Sequence, residues 1–427
     1  MFRSPAARLL RESIPRTAPS PTSSSSSTRS SHRCLNTLSR PALGHTRPQS
    51  NKSNAYRQYS TNDSFWFKSK DLYRRHPYQV SLAGACIVFA SGCIVYANYL
   101  YQSYIIASFH KYPEPVAQKL RRALYFTNSD LQPKEALKYY KQALEIANEI
   151  GMDPFSEEIM GVKIQVAALM ERIQNWPKAI EVLEILKRDC LQWEELLGRL
   201  DRNKAKRTRV LKTTIAVSIK LGELYSNEYV HDPKTAEERL VWAVETTLRE
   251  KARRDAADTN PTDEGDWMTD DEIGASLEAL AHNYEAQDKH YLSTPLFLQA
   301  LTLQPVPDCH TVTLMSNLAI SLAQQRPPAA LIAEGEAPPS RAALVANAQQ
   351  WAQKALLVAA AVKPPLRTDE CDVGCAVALH NLGEFAEMLG DTQGAGKWFK
   401  QAEGLARGIG FDEGAENSAL ALRRVGG

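Results

Sequence analysis

Residues 280–305 read LAHNYEAQDKHYLSTPLFLQALTLQP, and their spacing decides the fold. Leu280-Ala281 is followed by Tyr284, then by Ser293, Phe297 and Ala300, with Pro305 at the end. Residues 382–402, LGEFAEMLGDTQGAGKWFKQA, repeat the order with Leu382-Gly383, Ala386, Ala395, Phe399 and Ala402. Two antiparallel helices can approach closely only where small side chains sit at their crossing. Large aromatics then fill the space between one hairpin and the next, and Pro stops the second helix.

This is the spacing of a tetratricopeptide hairpin. Weaker copies surround the two clear ones. Ala136, Tyr140 and Ala143 keep the four-then-three step, as do Ala179, Leu183 and Leu186 after Val166-Ala167. Leu221-Gly222 and Tyr225 open a third hairpin, closed by Ala236, Leu240 and Ala243. Leu318-Ala319 and Leu322 open another, which Ala348, Ala352 and Ala355 continue. The expected fold is all-α: an N-terminal single transmembrane helix, then a tetratricopeptide-repeat solenoid of about six hairpins over residues 111–427. Acidic, Pro- and Gly-containing residues 255–272 read as a solvated linker. Residues 324–341, with two Pro-Pro pairs, read as an inserted loop, and 413–424 as a capping helix.

The first sixty residues carry nine Arg and one Lys against a single acid, Glu12. They are Ser-rich, and Phe2, Leu9 and Leu10 interleave with Arg3, Arg8 and Arg11. That is the makeup of a mitochondrial transit peptide, expected over 1–59 with cleavage near Tyr59-Ser60. The segment contributes +9, so the +2 of the whole chain leaves −7 for the rest. A mildly acidic body argues against nucleic acid as a partner.

From Pro77 to Phe109 no residue carries a formal charge. The expected membrane helix spans 78–105, long enough for a hydrocarbon layer that needs roughly 20 residues. Tyr78 on one side and Tyr96, Tyr99, Tyr101 and Tyr104 on the other suit the water interface. A basic flank over 60–77, with Lys68, Lys70, Arg74 and Arg75, favours an N-terminus in the matrix and a body in the intermembrane space. Lys111, Lys119, Arg121 and Arg122 after the span keep the reverse topology open. Gly84 and Gly92 lie near one face, where a second helix could approach; a lipid-facing monomeric anchor fits equally well.

No catalytic constellation is legible, and neither a cofactor nor a metal is expected. Residues 390–398, GDTQGAGKW, imitate a phosphate-binding loop. Asp391 stands where the first Gly is needed, however, and Trp398 where Ser or Thr must hold magnesium. Cys371 and Cys375 lie one helical turn apart, but a lone pair is a weak disulfide signal. Cys190, Cys309, Cys371 and Cys375 read as small buried or idle thiols, with the oxidation state of Cys371 and Cys375 left open.

In such stacks the first helix of each hairpin lines the concave groove. Asn317 and Asn381 take matching places there, Gln165 and Lys220 take the same place in earlier hairpins, and His282 and Glu384 lie further along. An Asn amide both donates and accepts, so a row of them could hold an extended peptide without reading its side chains. Polar residues on a wet face is the plainer reading.

The stretches Pro113-Glu114-Pro115-Val116-Ala117, Leu120-Arg121-Arg122-Ala123-Leu124-Tyr125 and Ala136-Leu137-Lys138-Tyr139-Tyr140-Lys141-Gln142-Ala143-Leu144 are similar to a fungal family. It is the tetratricopeptide adaptor subunit of the mitochondrial inner-membrane i-AAA protease supercomplex, and the likeness covers about residues 65–427. The resemblance implies a non-catalytic adaptor. Its partners would be the AAA protease subunit, a second adaptor subunit in the inner membrane, and unfolded protein substrates delivered for degradation. The alternative is a scaffold or assembly factor for an inner-membrane respiratory complex.

Overall fold

The structure, a computed structural model, describes residues 73–106, 109–257, 261–304, 306–326 and 340–426. Tyr59, Ser60, Pro305 and most of the expected 324–341 loop lie outside the described residues. The chain divides into two units, with the boundary between Lys111 and Tyr112.

The first unit holds helix α1, Pro77–Leu100, continued by a π-type turn over Tyr101–Ile106. Pro77–Ser103 is long and apolar enough to cross a membrane, and none of it is buried. Among the described residues, nothing lies within 4 Å of where a Cβ on Gly84 or Gly92 would stand.

The second unit is a run of helical hairpins, and no strand occurs among the described residues. Hairpin 1 is α2 (Glu114–Asn128) with α3 (Pro133–Ile150). Hairpin 2 is α4 (Glu157–Arg172) with α5 (Trp176–Trp193). Hairpin 3 is α6 (Lys204–Tyr225) with α7 (Pro233–Ala257). Hairpin 4 is α8 (Asp270–Ala286) with α9 (His290–Thr302). Hairpin 5 is α10 (Cys309–Gln324) with α11 (Arg341–Ala361), and hairpin 6 is α12 (Asp369–Met388) with α13 (Thr392–Gly408). Helix α14, Asp412–Gly426, packs on the last pair.

Local chemistry starts these helices. The Ser156, Asn175 and Ser340 side chains accept from backbone N–H groups three residues on, filling donors the helix leaves unpaired. Thr269 with Glu272, and Asp308 with Thr311, form reciprocal capping boxes. Gly151, Gly390 and Gly410 follow helix ends with positive φ.

The second helices carry the seam. Ala136, Ala179, Ala236, Ser293, Ala348 and Ala395 are fully buried, and so are Ala143, Ala243, Ala300, Ala355 and Ala402. Four residues after the first set come Tyr140, Leu183, Leu240, Phe297, Ala352 and Phe399, also buried. The small residue opposite is a steric requirement at two places. A Cβ on Gly222 would meet Leu240 Cγ at 2.4 Å, and one on Gly383 would meet Phe399 Cε1 at 2.5 Å. Only glycine lets those helices close.

Two expectations need correcting. Residues 255–272 are not a uniformly solvated linker. Helix α7 runs on to Ala257, a one-turn helix follows at Pro261–Glu264, and Met268 and Trp267 pack onto the core. The cause is an ion cluster: Glu250 is buried and bonded to Arg253 and Arg254, and Arg254 donates to the Gly265 carbonyl and sits over the Trp267 ring. The cysteines are not all idle either. Cys309 and Cys371 form a disulfide, while Cys190 and Cys375 are free thiols. Each partner sits in the first turn of a first helix, in adjacent hairpins, and the stacking brings those turns together.

Candidate peptide groove

The first helices α4, α6, α8, α10 and α12 form a row, and polar ties lace each to the next. Lys220 Nζ on α6 donates to Glu171 Oε1 on α4 at 2.9 Å and to Glu223 at 3.2 Å. Burial opposes its charge, but Glu223 and Glu171 outweigh that and hold its pKa above the usual lysine range. Ser226, just past α6, donates to Asn283 Oδ1 on α8 at 2.9 Å. Ser321 Oγ on α10 donates to Glu285 on α8 at 2.5 Å.

His310 on α10 ties to the first helices on both sides. Its Nε2 lies 2.9 Å from Glu278 on α8 and its Nδ1 lies 3.0 Å from Glu370 on α12. Burial works against the proton here. The two carboxylates outweigh it and push the pKa up to about 10, so the ring is an imidazolium donating from both nitrogens. Beyond it, Arg424 on α14 donates to Glu384 and Glu387 on α12.

The six candidate grip residues therefore divide. Lys220, His282 and Glu384 are engaged within the chain: His282 Nδ1 is 3.0 Å from Glu285, and Glu384 holds Arg424. Gln165, Asn317 and Asn381 make no side-chain hydrogen bond among the described residues. Asn381 is 7% exposed and its Nδ2 has no partner among the described residues. An amide left so is costly unless something fills its valence. A peptide carbonyl arriving along the α10–α12 surface is one candidate. Gln165 and Asn317 are half-buried and complete a spaced set on α4, α10 and α12.

Sequence reading placed the polar residues on the first helices but missed their ties. Nothing within one repeat marks Glu278 as a partner of His310, thirty-two residues away. It also missed the Cys309–Cys371 pair. The available signal was the two helix starts, Asp308 and Thr368, which place both cysteines in first turns. Among the described residues, no group of three or more His, Cys, Asp or Glu side chains could hold a metal ion.

Six four-then-three seams stacked by first-helix rows define a tetratricopeptide-type repeat protein. A TPR repeat-containing protein of Schizosaccharomyces pombe is 28% identical over 319 residues, covering 74% of this chain and 79% of that protein. A Saccharomyces cerevisiae protein described as MRG3-like is 25% identical over 118 residues, 27% of this chain and 25% of that one. No family model matches the chain. Among solved structures, BtubC from P. vanneervenii aligns with a TM-score of 0.45 at 15% identity, covering 66% of this chain and 93% of that chain. A putative kinesin light chain repeat protein of Podosopora anserina aligns at 0.39 and 15%, covering 60% and 98%.

Proposed function

We propose that this chain is a non-catalytic, membrane-anchored adaptor of the mitochondrial i-AAA protease. It binds unfolded membrane or intermembrane-space proteins along its row of first helices and helps deliver them for degradation. The observation that carries the reading is the pairing of one uncharged helix, Pro77–Ser103, with a six-hairpin repeat body on the same chain. An anchored binding module works by raising local substrate concentration near a partner in the same membrane. The Cys309–Cys371 disulfide supports a body outside the reducing matrix, since disulfides persist in oxidising compartments. The fungal TPR relative, matched over most of its length, supports the repeat-protein part.

The test is purification of the C-terminally tagged full chain from mitochondria in mild detergent, with partners identified. Recovery of an AAA protease and a second inner-membrane subunit supports the adaptor. Recovery of respiratory-complex subunits instead would replace it with an assembly scaffold, and cytosolic chaperones would replace it with an import receptor. Protease protection adds the compartment. The C-terminus should resist digestion in intact mitochondria and be cut once the outer membrane is ruptured.

A further inference from the structure

Helices α6 and α7 of hairpin 3 are 22 and 25 residues long, against 17 and 13 for hairpin 4. The extra turns carry an extension that the repeat itself does not need. Its base is rigid. Arg207 Nε donates to Glu194 at 3.0 Å, and Arg254 Nη2 donates to Thr208 at 2.5 Å. Lys206 Nζ lies 4.7 Å from the centre of the Trp193 ring.

The tip between α5 and α6 is a π-type turn, Glu194–Gly198, followed by a short 3-10 turn. It is closed by its own hydrogen bonds: Leu200 N–H to the Leu197 carbonyl at 3.3 Å, and Asn203 Nδ2 to the same carbonyl at 2.8 Å. That closed turn presents Leu196, Leu197 and Leu200 to solvent, 69%, 42% and 41% exposed. Arg199 and Arg202 on the tip, and Arg209 further along α6, are exposed and without a carboxylate in ion-pair contact among the described residues. Of the acids there, Glu194 is held by Arg207, Asp201 by Lys204, and Glu195 is exposed, so residues 194–209 carry six cations against three acids. Exposed leucines rimmed by unpaired arginines combine two attractions, burial of apolar tips between headgroups and neutralisation of anionic phosphates. A folded protein partner of the same charge would need a complementary acidic apolar socket; a bilayer offers both features over its whole surface.

We infer that the Leu196–Leu197–Leu200 tip is a second membrane contact, docking on the surface of a bilayer rich in anionic phospholipid. The inference rests in part on the anchored reading proposed above. A tip on an anchored chain needs little intrinsic affinity, because the anchor keeps lipid at high effective concentration.

The experiment uses the full chain reconstituted into vesicles. An environment-sensitive fluorescent amino acid replaces Leu197 in one sample, Val88 of α1 in a second and exposed Leu420 of α14 in a third. Quenching by lipids brominated in their acyl chains is read in phosphatidylglycerol-rich and in pure phosphatidylcholine vesicles. The position-197 probe should be quenched and blue-shifted in the anionic vesicles, while the position-420 probe stays aqueous. Raised salt or the Arg199→Glu/Arg202→Glu double variant should weaken the position-197 signal about tenfold. Quenching at 88 without quenching at 197 overturns the tip contact and leaves the span standing. Quenching at 197 without quenching at 88 keeps the tip and removes the span. Absence at both removes both, and equal quenching at 197 in neutral vesicles overturns the anionic preference. A position-197 signal that appears only when a mitochondrial membrane protein is added assigns the tip to protein instead, and overturns the inference.

Discussion

Hairpins 1–3 and hairpins 4–6 close the same seam with different materials. Leu183 and Leu240 fill it in hairpins 2 and 3, and Tyr140 in hairpin 1; Phe297 and Phe399 do so in hairpins 4 and 6. Hairpin 5 has only Ala352 at that place, and Trp351 and Leu356 alongside pack onto the core instead. The ties differ too. Around hairpin 3 they are ionic, with Glu250 buried against Arg207, Arg253 and Arg254. Across hairpins 4–6 the ion pairs of His310 and Arg424 are joined by a covalent bond. The small residues hold the backbones together, while the filler is free to vary if volume is conserved nearby.

The largest effects should come from breaking the C-terminal half. Phe399→Ala removes a fully buried ring and should cost about 3–5 kcal/mol in urea unfolding followed by helical circular dichroism. Leu240→Ala should cost less, which ranks the two halves by filler. His310→Gln should cost a similar 3–5 kcal/mol or so, because it leaves Glu278, 3% exposed, without its cation. The pH sign separates this from simple packing loss. The His310 pKa is raised from 6.5 to about 10, so the folded state holds the proton more tightly. Its stabilisation is complete below 6.5 and is lost as pH rises through about 10. Melting curves should show that decline in the parent chain and a flatter profile in His310→Gln.

Next comes the disulfide. It closes a 62-residue separation, and Cys371→Ser should cost about 2–4 kcal/mol, as should mild reduction. Reduction should leave Leu240→Ala and the parent equally shifted if the two halves are independent. Gly383→Ala should cost about 1–3 kcal/mol by forcing Phe399 aside, and less in a Phe399→Leu background. An equal cost in both backgrounds would show that the clash with the ring is not the cause.

These differences also explain what could be read from sequence. Hairpins 4 and 6 were legible because Phe297 and Phe399 are large, rare and spaced from Ala300 and Ala402 by three. Hairpins 2 and 3 were fainter because Leu183 and Leu240 occur everywhere in helices. The extension between α5 and α6 showed only as a charged stretch. The buried Glu250 of α7, which holds its base, looks like any surface acid until the arginines of α6 and α7 converge on it. Asn381 was placed on a first helix correctly as a position, but its burial depends on how hairpin 6 stacks. Ion pairs and cysteine pairs are set by distance in space, and periodicity does not carry that.

The smallest expected effect sharpens the comparison from the other side. Lys187 on α5 is buried, more deeply than half-buried His310, yet it faces no carboxylate in ion-pair contact among the described residues. Its Nζ donates to Ser218 Oγ at 2.7 Å and lies 4.3 Å from the centre of the Trp242 ring. Burial, helped by the charge of Arg239 and opposed by Glu184, lowers its pKa from 10.5 to about 8. The sign is opposite to that of His310. The folded state disfavours the proton, so a penalty is complete below about 8 and disappears as pH rises through 10.5. Lys187→Met keeps the length and apolar stem, and Ser218 retains its bond to the Arg239 carbonyl. The variant should gain about 1 kcal/mol at neutral pH, with the lost ring contact and hydrogen bond offsetting part of the relief. That gain should vanish above 10.5, whereas the loss in His310→Gln should shrink over the same rise. If both variants instead show pH-independent shifts, charge burial does not distinguish the two halves and only the fillers do.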